Sequence, residues 1–275
     1  MPAYEFDRAT PVTVALRMHR GVADLTAEDR SGIQVEVLPL DDNESSLDAA
    51  ARYQVTLEGD SLIIHAPEGF GWPLRRTPKV HVVARVPAGS SLAAQMAAAD
   101  LRARGDYGIV QAALASGDGY VERVAGDADL KSASGDVQID RVGGSLRIGS
   151  ASGEVRVGDV IGDVKASTAS GDMSLHSVGG SIQGKTASGD VEIGRLIRGK
   201  AAVASASGDV MVGVARGTGV WLDVNTASGS ASSDLTMDES APEPGRTATL
   251  ELRVRTASGD IHIHRAFGDV ERETV

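Results

Sequence analysis

The eighteen residues SASGDVQIDRVGGSLRIG, Ser132 to Gly149, are followed at once by SASGEVRVGDVIGDVKAS and then by TASGDMSLHSVGGSIQGK. A fixed internal period constrains a fold more than any local propensity, because each repeat must bury its apolar face against its neighbours. With the acid of the motif as phase zero, it falls at Asp100, Asp118, Asp136, Glu154, Asp172, Asp190 and Asp209, in five steps of 18 and one of 19. Gly117, Gly135, Gly153, Gly171, Gly189 and Gly208 each stand just before an acid, and the motif returns around Gly229 and Gly259.

Within one repeat the apolar positions are Val137, Ile139, Val142, Leu146, Ile148 and Ala151. Each repeat therefore holds two short strands of period 2, DVQID and SLRIG, separated by glycine-bearing corners. Helices are excluded, since the apolar steps never settle at 3 and 4 and glycine recurs too often. The pattern predicts an all-β, single-stranded parallel β-helix of about 18 residues per coil, with coils stacked ~4.8 Å apart. A right-handed sense follows from the preference of parallel crossovers. The inward ladders read Val137, Val155, Met173, Val191, Val210 and Ile139, Val157, Leu175, Ile193, Val212. Aliphatic stacks of this kind explain a chain with 33 glycines and only 3% aromatic residues. A hexapeptide helix would repeat an aliphatic every six residues, and a calcium-binding nonapeptide roll needs G-G-x-G-x-D in each half, so neither fits.

The motif itself reads as a corner. Glycine permits positive φ, Ala133 and its equivalents fill a narrow inner angle, and the flanking Ser or Asp caps exposed amides. Before about residue 90 the pattern degrades, and residues 1–88 read as an irregular β cap continuous with the solenoid, in which DDNESSLDAAAR is an acidic loop or short helix. Residues 89–233 form the regular solenoid, 234–249 an acidic, proline-containing loop, and 250–275 a C-terminal coil and tail.

No cysteine is present, so disulfides and thiolate chemistry are excluded. Net charge is −11, which disfavours nucleic acid and anionic membrane surfaces as partners. The opening MPAYEFDRATPVTV lacks a charged n-region followed by an apolar stretch, and no window suggests an integral membrane segment, so the expected location is cytoplasmic. G-x-S-x-G, H-E-x-x-H and P-loop motifs are absent, and no cluster of acids with Arg or Lys on one face is visible, so no enzyme activity and no cofactor are expected. The acids of the ladder read as structural corner caps and not as metal ligands. His176, His262 and His264 alternate with inward aliphatics and read as solvated. A Ser/Thr ladder, from Ser132 to Thr256, resembles the hydroxyl arrays of ice-binding solenoids only loosely, because serine lacks the methyl group.

The candidate contacts are Trp72 with Arg75 and Arg76 in the loop GFGWPLRRTP, the outward Trp221, and Ile261 with Ile263 in the coil read as last. With GDVQID, GEVRVG, TASGDVEIG and VWLDVNTASG side by side, the chain resembles the bacterial β-strand-repeat adhesin-type family, also called toastrack domains. That resemblance implies the same solenoid, an association with envelope-stress systems or adhesion, and no catalytic residues. The expected function is a non-enzymatic scaffold or protein-interaction module, with a soluble accessory of an envelope-stress or regulatory system as the alternative, and a carbohydrate-active β-helix enzyme or an ice-binding protein ranked behind both. Its partner would be a second copy, in an oligomer or filament, or an unidentified protein gripped through the loop around Trp72.

Overall fold

The computed structural model describes residues 2–66, 78–235 and 249–266. Its strands are β1 (Ala3–Phe6), β2 (Thr13–Glu28), β3 (Ile33–Pro39), β4 (Gln54–Glu58), β5 (Ser61–His65), β6 (Val80–Pro87) and β7 (Ser91–Tyr107). The regular coils follow as β8 (Val110–Ser116), β9 (Gly119–Val124), β10 (Ala128–Ser134), β11 (Val137–Val142), β12 (Leu146–Ser152), β13 (Val155–Val160), β14 (Val164–Ser170), β15 (Met173–Val178), β16 (Ile182–Ser188) and β17 (Val191–Leu196). The last are β18 (Gly199–Ser207), β19 (Val210–Val214), β20 (Val220–Ser228), β21 (Ala231–Ser233), β22 (Leu250–Ser258) and β23 (Ile261–Arg265). One helix among the described residues, α1 (Glu44–Arg52), falls in the stretch expected as loop or short helix.

The fold is the parallel β-solenoid that the repeat specifies. Even-numbered strands from β8 to β18 pair in register as sheet I, and odd-numbered strands from β9 to β19 pair as sheet II. The ladder from Val137 to Val210 is continuous in the pairing, as is that from Ile139 to Val212. Ile139 and Val212 are fully buried. The longer strands β2 and β7 each supply one whole coil, their first halves in sheet I and their second halves in sheet II, and they pair with each other from Thr13↔Ser91 to Ala27↔Gly105. A regular coil thus lies within the segment read as a cap.

Spatial order departs from chain order at both ends. The coil of β5 and β6 lies outside β2, so the first coil in sequence is held between it and β7. At the other end β22 pairs with both β18 and β20, while β23 pairs with both β19 and β21. The coil of β20 and β21 is therefore outermost, and the later coil of β22 and β23 is inserted beneath it. The N-terminal end is closed by antiparallel strands, with β4 on β5, and with β1 on β3 on β6. Helix α1 connects these two edges and buries Ser46, Ala49 and Ala50.

Each SASGD segment is a corner, but its phase differs from the expectation. Ser132, Ser150, Thr168, Thr186, Ser205 and Thr256 are buried, whereas Ala133 and Ala151 are exposed. The reason is strand alternation: β12 runs unbroken from Leu146 to Ser152, so the inward set Leu146, Ile148 continues to Ser150 and Ala151 points out. Some of these hydroxyls reach a corner carbonyl, whereas those of Ser150, Thr168, Thr186 and Ser205 are buried with no hydrogen-bond partner among the described residues. Ser132 Oγ donates to Gly135 O at 3.1 Å, and Thr226 Oγ1 donates to Gly259 O at 3.1 Å.

The glycines answer to close stacking more than to torsion. Gly135 has φ +145°, and a Cβ there would lie 2.2 Å from the carbonyl oxygen of Gly117 one coil below. Gly171 is not in the left-handed region, which corrects the expectation of positive φ at every corner, yet its Cβ would fall 2.3 Å from Gly153 O. The acid beside each glycine ties one coil to the next. Oδ1 of Asp100, Asp118, Asp136, Asp172, Asp190 and Asp209 accepts the amide N–H of the acid above it, at 2.8–3.1 Å. Asp260 continues the ladder to Ser230 N at 2.7 Å, a contact that holds its carboxyl below the usual range. Glu154 pairs sideways with Arg156 instead. A second ladder at the opposite corner, Asp127 to Ser145 N and Asp163 to Ser181 N, both 2.8 Å, was not anticipated.

Replacing Ile139 by Asp should lower the melting temperature severely, since roughly 1.5–3 kcal/mol of burial is lost and an unpaired charge enters the core. Gln138→Lys, one residue away and outward, should melt within a degree or two of the parent. Gly171→Ala tests the stacking argument: a large destabilisation is expected although φ there is ordinary, and a neutral outcome would refute the close approach. Asp172→Asn keeps an acceptor for Asp190 N–H and should melt with the parent, whereas Asp172→Ala should melt lower. Tyr107 is fully buried with no hydrogen-bond partner for its hydroxyl among the described residues, and burial pushes its phenol well above its ordinary pKa. Thermal melts of Tyr107→Phe should therefore show unchanged or higher stability.

Candidate interaction surfaces

The open end of the solenoid is built by β20 and β21. Each pairs on one side only among the described residues. Val220, Leu222 and Val224 occupy the inward positions of this coil and are half-buried, while their neighbours Leu250, Leu252 and Val254 beneath are at 0% exposure. Trp221 points outward, as the strand alternation predicts, and is 47% exposed, with the Arg253 guanidinium carbon 5.4 Å from the ring centroid. Arg253 also reaches Glu251 at 2.7 Å, so Trp221 is braced from the coil below.

Ile261 and Ile263 do not belong to this surface. Both are 1% exposed, covered on one side by Val210 and Val212 and on the other by Ala231 and Ser233. Their reading as last-coil contacts assumed that sequence order was spatial order, and the inserted coil overturns it. Trp72, Arg75 and Arg76 lie outside the described residues, as do most of the acidic loop and the tail after Ala266.

Charge pairing varies over the two outward faces, and near the end of sheet I Lys200 and Arg253 meet Glu251 while Arg255 meets Asp223. On sheet II cations meet acids: Arg123 with Asp106 at 2.6 Å, Arg102 with Asp24 at 3.8 Å, and Arg141 with Asp159 at 3.5 Å. Arg123 holds the Asp106 carboxyl below its usual range. Sheet I presents Lys131, Arg147, Lys165 and Lys185, all exposed and none with an ion pair or side-chain hydrogen bond among the described residues. Arg147 and Lys165 are register partners on β12 and β14. Lys131 and Lys185 stand two residues further along, separated by Gly149 and Ser167. Beside them a groove of about 710 Å³ also takes in Asp127, Asp129 and Asp163.

The sequence reading found no clustering of acids with Arg or Lys, and the stacking assembles one. The signal was available: Asp129, Arg147, Lys165 and Gln183 recur every 18 residues in the motif's phase.

His262 and His264 stack with centroids 5.6 Å apart, and His262 Nδ1 lies 2.9 Å from Ser232 Oγ, so both are engaged rather than simply solvated. Among the described residues no group of three or more His, Cys, Asp or Glu side chains is placed to hold a metal ion. No helix among them is long and apolar enough to cross a membrane.

No curated protein matches the chain. Similar solved structures include a candidate cell adhesion protein from Clostridium sporogenes, at 8% identity over 96% of this chain and 99% of that one, with a TM-score of 0.24. A candidate adhesin from Bacteroides fragilis is 9% identical over 95% and 96% of the two chains, with a TM-score of 0.39. A candidate lipid-binding protein from Parabacteroides distasonis is 15% identical over the same shares, with a TM-score of 0.47. Likeness at this level says nothing of what the chain binds. The family model Toastrack DUF4097 matches residues 24–264, nearly the whole solenoid, and the chain belongs to that family.

Proposed function

We propose that the chain is a non-enzymatic interaction module that associates with a second copy of itself through the open end formed by β20 and β21. The observation that carries this reading is the half-buried row Val220, Leu222 and Val224 beside a strand edge that is unpaired among the described residues. Soluble proteins shield such edges with proline, lysine or a covering element, and β20 contains neither residue. The opposite end carries the antiparallel strands β1 and β4 and helix α1 in place of a parallel coil, so the two ends offer unlike surfaces for head-to-tail stacking into a filament. Two open ends meeting about a two-fold axis would bury both edges at once, and isologous contacts of this kind close on themselves. Trp221 at the rim supplies a large, rigid contact.

Sedimentation velocity across a wide concentration range should show a monomer–dimer equilibrium. Leu222→Lys, at the mouth of the bore, should shift it to monomer while the circular dichroism stays that of the parent. A parent that remains monomeric throughout, or a Leu222→Lys variant that dimerises equally well, would exclude the open end as the interface.

A further inference from the structure

Four cations that have no ion-pair or side-chain hydrogen-bond partner among the described residues stand together on sheet I of a chain whose net charge is −11. Asp129 is the register partner of Arg147 and offsets it in part, whereas Lys131, Lys165 and Lys185 have no acid as register partner. We propose that this face binds an acidic glycan, its carboxylates on Arg147, Lys165, Lys131 and Lys185 and its hydroxyls on the neighbouring amides and acids of the groove.

Spacing and neighbours select the ligand. Arg147 and Lys165 are one strand step apart, ~4.8 Å, and Lys131 to Lys185 spans three such steps, so the positive charges run along the solenoid axis as a linear acceptor. Gly149 leaves the centre of the cluster open, since a Cβ there would make only ordinary contact, 3.5 Å from Ser167 Oγ. Asp127, Asp129 and Asp163 lie in the same groove. These acids oppose a densely charged partner such as a nucleic acid or an anionic membrane, because phosphates pressed on the face would meet carboxylates. A uronic acid polymer has the complementary pattern: isolated carboxylates separated by hydroxyl-rich rings. Asp oxygens and the Gln111 and Gln183 amides at the groove walls suit those hydroxyls. Exposed Ile109 at its end offers an apolar surface for a ring face.

Titration calorimetry with oligogalacturonate and with alginate oligomers, against a neutral cello-oligosaccharide and inorganic phosphate, tests the assignment on the full chain. An oligouronate should bind and the neutral oligomer should not, and affinity should fall as salt is raised because the contacts are exposed. The double variant Arg147→Gln, Lys165→Gln should weaken binding about tenfold, the size expected for two exposed charge pairs. Arg156→Gln, which removes a cation of sheet II that pairs with Glu154, should leave it unchanged. Both variants lie on the surface, and matching melting temperatures will show that neither perturbs the fold. Absence of binding to both oligouronates, equal affinity in the double variant, or binding of the neutral oligomer at the same strength would overturn the proposal. So would retention on anionic phospholipid vesicles without oligouronate binding, or binding of inorganic phosphate alone.

Discussion

Close vertical stacking at the corners is the constraint on which the structure depends. The carbonyl oxygen of one corner glycine occupies the space where a side chain of the next would begin, as Gly117 does beneath Gly135 and Gly153 beneath Gly171. Strands in the two sheets can then pair at full register, and the aliphatic ladders of the bore follow from that pairing. The acid after the glycine uses the same geometry. Because the corners superpose, each Asp Oδ1 meets the amide of the acid in the next coil, so one short side chain caps a turn and links two coils. Carboxylates that would repel one another in an even column are thereby each engaged by a backbone dipole.

Much of this was legible because an 18-residue period leaves few alternatives. The bore residues, the two corners and the outward setting of Trp221 all follow from counting. What counting missed has physical causes. The inward setting of Ser132 and Thr168 was hidden because polarity suggested the surface, whereas period 2 continues through the strand until the corner glycine. The burial of Ile261 and Ile263 was hidden because a repeat specifies which residues can stack but not in what order coils stack. Equivalent coils are nearly interchangeable as neighbours, and the choice between them is made by loop lengths and end packing. The cations of sheet I were overlooked for a related reason: Lys131 and Lys185 are 54 residues apart in the chain and become neighbours only through Gly149 and Ser167.

Insertion of a coil at each end alters how a solenoid loses structure. In a simple stack the terminal repeat frays first, because it has one neighbour where the others have two. Here the coil of β2 has neighbours on both faces, as does that of β22 and β23. Neither can leave without displacing another. The arrangement also orders assembly, since β2 pairs with strands 48 to 78 residues further along and its contacts close long loops. Local stacking in the central coils, where partners are one period apart, carries the lower entropic cost and provides a template for the ends.

The same one-dimensional logic distributes chemistry over the surface. An outward position recurs in every coil, so a single residue type at one phase generates a row, and its neighbours at the same phase decide whether the row is self-neutralising. On sheet II the acids Asp106 and Asp159 fall beside Arg123 and Arg141, and the field cancels within one or two strand steps. On sheet I glycine and serine separate the cations at one phase, while at the other Asp129, Arg147 and Lys165 stand in consecutive coils, so that Arg147 has an acid neighbour and Lys165 has none. Neither the core nor the corners require that difference, because all these side chains point away from the bore. Stability therefore constrains the inward and corner positions, and the outward rows are free to vary, which makes Lys131, Lys165 and Lys185, without ion-pair partners among the described residues, a property of the surface and not a by-product of the fold.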